Sequence, residues 1–382
     1  MKIGLTKNDY PIRRNILDKV PGCEYVLLRN NNNLFHSLST VKNLIFRKKS
    51  NIEGKYYFYQ KPTIDVLHLY NDINYSSQKW VASFETLVPR FLETRNDHQK
   101  TEPQHIKNSK TADGLKQIAK KNCLGIVSIS QASANIQLEL LKHYPEFKDQ
   151  IEAKLTVIHP PQEIIPRDSS NIYNNIETFN LIFVGTQFHL KGGVEMVDVL
   201  RKLKSKYNFK LTIVSSFKTD NYVTKVSEKE AQETKKLLKK EDWITLFENI
   251  PNEKVLELIK ESHFGLLPTW SDTYGFSVLE MQAAGVPVIT TDIRALPEIN
   301  NENCGWLINI PQNRLKQALY YTDEQKEELK KAIKTQLENI IEDIFANPEQ
   351  LKEKSKNSVE RIKKNHDPDI FSEKLKSIYS KA

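Results

Sequence analysis

Two carboxylates eight positions apart, Asp272 and Glu280, enclose the run Thr273-Tyr274-Gly275-Phe276, and apolar runs at 264–267 and 286–289 flank the whole segment. The pattern predicts strand, loop, helix, strand, with Gly285 closing the helix. In such a βαβ unit the loop lies beyond the carboxyl end of a strand, where ligands bind. It offers one carboxylate and the free N–H groups of a helix N-terminus to the same ligand. Glu280, about one turn into the helix, can accept two hydrogen bonds from a vicinal diol such as a ribose presents. Asp272, before the helix, can reach the hydroxyls of a second sugar. Each residue also has a plainer reading: Asp272 as a turn or N-cap residue, Glu280 as a charge beside its helix's positive end.

A second loop carries complementary chemistry. After the apolar run at 181–184 come Gly185-Thr186-Gln187-Phe188-His189-Leu190-Lys191-Gly192-Gly193. Gly185 lets a ligand approach the backbone closely. Lys191 and Gly192 stand just before an amphipathic run, so an ammonium and free N–H groups can face one phosphate. The spacing is not that of a P-loop, and a lysine before a helix is commonly a solvated surface group. The two loops together fit an anionic, hydroxyl-rich ligand such as a nucleotide sugar.

The elements that must hold these loops alternate along the chain. Candidate strands fall at 2–5, 25–28, 64–69, 80–84, 124–129 and 155–158, then at 181–184, 211–214, 245–247, 264–267, 286–289 and 306–308. Helical patterns lie between them, notably 132–143, 195–204 and 252–259, the last with Asn252 as its N-cap. Strands alternating with helices predict an α/β protein with two doubly wound parallel sheets. The 382 residues exceed one ordinary core. The expected division is a first domain at 1–165, a linker at 166–178, a second domain at 179–320, and a charged helical segment at 321–382 broken at Pro348 and Pro368. Asp367-Pro368-Asp369 in that segment reads as a helix boundary rather than a metal-binding pair.

Composition narrows the setting. Mean hydropathy is −0.54, and no run of some 18 apolar residues suggests a membrane span. Residues 2–5 read as a strand, not as part of a signal peptide. Cys23, Cys123 and Cys304 form neither a metal spacing nor a disulfide framework, which suits a reducing cytoplasm. The net charge is +8, and residues 1–160 hold 24 Lys/Arg against 15 Asp/Glu, densest at Arg47-Lys48-Lys49. That half suits an anionic membrane surface or a phosphorylated acceptor, and equally a lysine-rich soluble surface. Nucleic acid ranks last, for no recognition motif accompanies the charge. Asn30–Asn33 reads as a solvated loop.

The order Gly-Lys-Gly, then an acidic residue, seven residues, Glu, and Gly-x-Pro-Val-Ile resembles the retaining glycosyltransferases of the GT-B fold, glycosyl transferases group 1 (family 4). The resemblance is specific over about residues 183–308. It implies two Rossmann-like domains facing each other, a nucleotide-sugar donor (UDP-, GDP- or ADP-linked) in the second, a glycan or lipid-linked acceptor in the first, and final helices crossing back. It implies that Lys191 grips the diphosphate, Glu280 the ribose and Asp272 the donor sugar, while the amides of Tyr274, Gly275 and Phe276 contact phosphates or sugar. Thr273 lies in the same donor loop. Neither a metal nor a cofactor is implied. Two positions depart from the family: Thr186 stands where an arginine is frequent, so that one diphosphate-binding cation is either missing or supplied by Arg294 or His189, and Asp272 replaces a glutamate.

In the first half, the strand at 80–84 leads to Glu85, where the family has a histidine near the reacting sugar. Glu85 can stabilise positive charge on that sugar or cap the following helix. His68 lies inside an apolar run and reads as a satisfied core histidine. The resemblance implies glycosyl transfer with retention, in bacterial polysaccharide or glycolipid assembly, by a cytoplasmic protein that also contacts the inner face of the membrane. The rival readings are a sugar phosphorylase or nucleotide-sugar epimerase on the same fold, and a non-catalytic scaffold subunit of a glycosylation complex.

Overall fold

Strand β4 (Val66–Tyr70) shows how the first sheet is built. Its alternate residues Leu67 and Leu69 enter one apolar cluster while Val66 and Tyr70 enter another, so both faces are covered. The structure, a computed structural model, describes residues 1–28, 55–56, 63–91, 94, 101–103, 107–167 and 172–382. The basic run at 47–49 and the asparagine run from Asn30 lie outside the described residues.

The chain forms two units, Met1–Pro161 with His366–Ala382, and Gln162–Asn365. The first holds a six-stranded parallel sheet ordered β2 (Glu24–Leu27), β1 (Lys2–Leu5), β4, β6 (Trp80–Phe84), β7 (Cys123–Ser128) and β8 (Leu155–Val157). A two-residue ladder, β3 (Lys55–Tyr56) with β5 (Ile73–Asn74), stands apart. Helices α1 (Tyr10–Asn15), α2 (Ser109–Ala119), α3 (Gln131–Leu141) and α4 (Pro145–Glu152) belong to this unit.

The second unit holds β11 (Ile244–Phe247), β10 (Phe209–Val214), β9 (Phe179–Val184), β12 (Phe264–Leu267), β13 (Val288–Thr291) and β14 (Gly305–Ile308), in that order and all parallel. Successive strands move outward from β9 in one direction, then from β12 in the other. The reversal between β9 and β12 is a topological switch point, where the loops leaving two adjacent strands part and open a crevice. Its helices are α5 (Gly193–Leu203), α6 (Glu228–Leu238), α7 (Asn252–Lys260), α8 (Phe276–Ala283), α9 (Leu296–Ile299), α10 (Asp323–Ala346) and α11 (Gln350–Asn365). Asn252 is the first residue of α7 rather than its cap: Pro251 precedes the helix, and its fixed φ suits that place.

The passage between units falls at Pro161–Gln162, ahead of the expected linker at 166–178. The described part of that segment is docked on the second unit instead. Arg167 donates to the carbonyls of Lys260 (2.8 Å), Gly285 (3.1 Å) and Ser262, and the Tyr173 hydroxyl donates to Gly285 O at 2.8 Å. The expected helical segment at 321–382 divides likewise. Helices α10 and α11 belong to the second unit, whereas α12 (Pro368–Tyr379) belongs to the first. Asp367 caps α12, accepting from Asp369 N and Ile370 N, so the Asp-Pro-Asp sequence is a helix boundary.

Helix α12 inserts Phe371, Leu375, Ile378 and Tyr379 into the cluster formed by Ile3, Leu5, Val66 and Val127. Each such burial contributes roughly 1.5–3 kcal/mol before entropy is counted. Tyr379 also meets the one polar residue on that face of β4. His68 is fully buried, with Nδ1 2.6 Å from the Tyr379 hydroxyl and Nε2 2.8 Å from Ser83 Oγ. Burial depresses its pKa to about 3. It is the satisfied core histidine that its apolar neighbours suggest.

Candidate functional site

The two loops singled out in the sequence leave adjacent strands, β9 and β12, at the switch point of the second unit. They are held together at several levels. Trp270 N donates to Leu190 O at 3.0 Å, and Thr269 Oγ1 to the same carbonyl at 3.2 Å. Gly192 has φ +74°, and a Cβ there would stand 1.9 Å from Pro268 O. Only a glycine permits that backbone contact. A Cβ at Gly185 would press on Lys191 Cγ at 3.1 Å, so this glycine makes room for the lysine side chain.

Lys191 then reaches across. Its Nζ lies 2.7 Å from Asp272 Oδ2 and 2.9 Å from Ser271 O. Asp272 Oδ1 accepts from Tyr274 N at 3.1 Å, a turn that fixes the carboxylate. Both charged side chains keep partial access to solvent, at 16% and 14%. Gly275, at φ +95°, is the N-cap of α8 and has no side chain to close its first turn. Phe276 opens that helix, and Thr273 is partly exposed in the loop before it. Glu280 lies on the helix one turn further and is 6% exposed. The structure therefore brings Gly185, Lys191, Gly192, Asp272, Thr273, Gly275, Phe276 and Glu280 into two joined loops and one helix. Tyr274 is different: its ring is fully buried, 5.2 Å from the Phe276 ring, and its N–H is spent on Asp272.

The two residues suggested as substitutes for an arginine at position 186 each meet other groups. His189 turns its Nε2 to Thr234 on α6, 3.1 Å away, and burial lowers its pKa. Arg294 follows β13 with φ +50° and lies beside Tyr320 and Tyr321. Two further aromatic groups were not expected from sequence. Tyr222, in the loop after β10, meets the Ser271 side chain and the field of Asp272, and its hydroxyl pKa is raised chiefly by burial. Tyr320 is buried close to it. Asp220 shapes that loop by accepting from Tyr222 N, Val223 N and Thr224 N. No local motif marks these tyrosines, because contacts across such sequence distances leave no periodic signal.

Glu85, in the first unit, follows β6 directly. It is ion-paired with Arg90, its N–H donates to Asn71 Oδ1 at 3.2 Å, and its carbonyl accepts from Ser133 Oγ at 2.5 Å. Residues 86–91 after it form bends rather than a helix, so the alternative reading of Glu85 as a helix cap does not hold. Among the described residues, no group of three or more His, Cys, Asp or Glu is arranged to hold a metal ion.

Two doubly wound parallel sheets, the second presenting a cation and carboxylates at its switch point, define the GT-B class of transferase. The chain belongs to the glycosyl transferases group 1, whose family model matches residues 167–358, half of the sequence. Solved structures agree in fold. HepE of Anabaena in complex with UDP-glucose superposes with a TM-score of 0.60 at 12% identity, covering 100% of both chains. Sucrose-phosphate synthase from Thermosynechococcus elongatus gives 0.59 at 14% identity, over 99% of this chain and 88% of that one. A glycosyltransferase from Rickettsia africae gives 0.57 at 14% identity, over 99% and 89%. No curated protein sequence matches the chain.

Proposed function

We propose that this glycosyl transferase moves a sugar from a nucleoside-diphosphate sugar to a hydroxyl of a glycan, lipid-linked or other acceptor, with retention of the anomeric configuration and without a metal ion. The observation that carries this reading is the Lys191–Asp272 pair at the switch point, with Glu280 on the helix that follows. A diphosphate entering these loops competes with Asp272 for the Lys191 ammonium. The exchange neutralises the leaving group and frees the Asp272 carboxylate to face the sugar. Glu280 takes the ribose diol. A uridine donor is the first candidate, since HepE was solved with UDP-glucose.

In the reaction, the bond from the anomeric carbon to the diphosphate oxygen breaks and a bond from the acceptor oxygen forms on the same face. The acceptor's proton passes to the departing diphosphate. Lys191 and the N-terminus of α8 stabilise the negative charge. Asp272 answers the positive charge developing on the sugar. The setting we propose is bacterial polysaccharide or glycolipid synthesis, at the cytoplasmic face of an anionic membrane reached through the basic first half. Among the described residues no helix is long and apolar enough to cross a membrane.

A thermal-shift screen against UDP, GDP, ADP, CMP, TDP and their sugars tests the donor site, with Glu280→Ala as control. Stabilisation by one diphosphate, lost in the variant, is the expected outcome. No shift with any of them, from a folded sample, would favour a scaffold subunit. Diphosphate release that needs an acceptor and survives chelation of divalent ions tests the transfer. Release without an acceptor would point to hydrolysis or epimerisation.

A further inference from the structure

The loop leaving β10 bridges the two loops of the candidate site, and all three lie within the second unit. At its start Lys218 N donates to Thr186 O at 3.0 Å, and Ser216 Oγ donates to the same carbonyl at 3.2 Å. Gln187 Nε2 donates to Thr219 O at 3.4 Å. At its far end the Tyr222 hydroxyl meets the Ser271 side chain, next to Asp272. The turn between these anchors is held from inside by Asp220, whose carboxylate accepts from Val223 N at 2.6 Å and from the Thr224 hydroxyl.

One residue of this loop takes a backbone conformation that bulky side chains rarely adopt. Phe217 has φ +54°, is 2% exposed, and stacks on Phe188 of the first loop with ring centroids 4.9 Å apart. Backbone strain of this kind gathers at ligand sites, where surrounding contacts hold it. Here the buried ring holds it, and the next residue, Lys218, comes to the surface beside Thr186. The Lys218 side chain is exposed, and its ammonium has no partner among the described residues. The acids nearby are engaged elsewhere. Asp220 is committed to its own turn, and Glu228 of α6 accepts from Thr219 Oγ1 at 3.0 Å.

The charge of a diphosphate calls for such a group. A diphosphate ester carries more than one negative charge and gains another as the sugar departs, whereas Lys191 offers one ammonium and shares it with Asp272. The N-terminus of α8 adds about half a charge. Burial favours the neutral form of His189, and Arg294 lies beside Tyr320 and Tyr321. Resting on the donor reading of the Lys191 and Asp272 loops, we infer that Lys218 is a second diphosphate-binding cation, carried to the donor site by the strained turn at Phe217. The flexible stem of a lysine lets its ammonium turn onto a phosphate seated against Gly185 and Thr186, whose backbone Lys218 already adjoins.

The test is calorimetric titration of the whole chain with inorganic pyrophosphate and with UDP, the first being indifferent to which base the donor carries. Lys218→Met should weaken both by about tenfold, the loss of one charge-assisted contact. Because the side chain is exposed, the thermal midpoint should not move. Lys218→Arg should keep the parent affinity. Thr186→Arg added to Lys218→Met should return most of the loss, since Thr186 is exposed and adjoins Lys218. Lys236→Met, at an exposed position on α6, removes the same net charge and should change neither affinity by more than about twofold. The assignment of Lys218 is overturned, with the donor reading left standing, if Lys191→Met loses affinity and Lys218→Met does not. It is overturned also if neither arginine repairs the loss, or if Lys236→Met loses as much as Lys218→Met. No binding of either ligand by the parent protein, or affinity indifferent to both Lys191 and Lys218, overturns the donor reading and the assignment together.

Discussion

Lys191 and Asp272 are 81 residues apart in sequence and 2.7 Å apart in space. Their pair joins the loops of two adjacent strands, and each partner has a second bond that fixes its direction. Such a half-buried pair adds little net stability, because desolvation offsets most of the attraction. Its worth lies in what can replace one partner, for an anion that reaches Lys191 finds the cation already aimed.

Lys191→Met should therefore leave the fold standing and weaken diphosphate binding by about 10- to 100-fold, the loss of a charge-assisted hydrogen bond of ~1.5–3 kcal/mol. Calorimetric titration with UDP checks this. Unaltered UDP affinity in a folded variant removes Lys191 from the donor site.

Glu280→Gln keeps the size of the side chain and removes its charge. Nucleoside diphosphate binding should fall by roughly tenfold or more, while binding of inorganic pyrophosphate, which has no ribose, should hold. Equal losses for both ligands would mean that Glu280 supports the helix rather than the ribose.

Gly192→Ala should cost about 3 kcal/mol or more, from left-handed backbone strain together with the collision on Pro268 O. Gly22→Ala separates these causes: its φ is +78°, yet nothing lies within 4 Å of the added Cβ. That change should cost only about 1–2 kcal/mol. Urea midpoints of the two variants give the comparison, and equal costs would disprove the close approach of the loops.

His68 predicts the acid side of the stability curve. Its folded pKa, about 3, lies below the ordinary 6.5. Above pH 6.5 the ring is neutral in both states and the folded form keeps its full advantage. As pH falls below 6.5 the unfolded chain binds a proton that the folded one does not, and stability is lost down to about pH 3. Between pH 6.5 and 5.5 the loss from this residue is about 1 kcal/mol. His189 and His263, also depressed by burial, act in the same direction. Urea titrations at both pH values should show a smaller slope for His68→Gln than for the parent protein; equal slopes would contradict the burial.

The parts of the fold that were legible are those with a period. All twelve strands of the two large sheets stand within a few residues of their apolar runs, because the inner strands are buried on both faces and even the part-exposed edge strands β2, β8 and β11 keep apolar residues. The ladder of β3 and β5 has two residues per strand and hence no pattern to read. Residues 166–178 are polar and aperiodic, which describes a linker and a docked strap alike; only the three carbonyls around Arg167 distinguish them. At the candidate site, Lys191, Asp272 and Glu280 were legible as candidates because glycines and a helix start give them a local frame. Tyr222 and Tyr320 beside it were not, since contacts made across such sequence distances leave no local pattern.

Helix α12 has a consequence for the order in which the protein is made. The second unit is one continuous stretch, Gln162–Asn365, and can fold as soon as it leaves the ribosome. The first unit cannot be finished then, for the face formed by Ile3, Leu5 and Val66 waits for Phe371, Leu375, Ile378 and Tyr379. At 5–20 residues per second, the roughly two hundred intervening residues hold that apolar face open for about 10–40 seconds of translation. During that interval the nascent chain is a natural client for a ribosome-associated chaperone, and a stop codon before residue 368 would leave it one permanently.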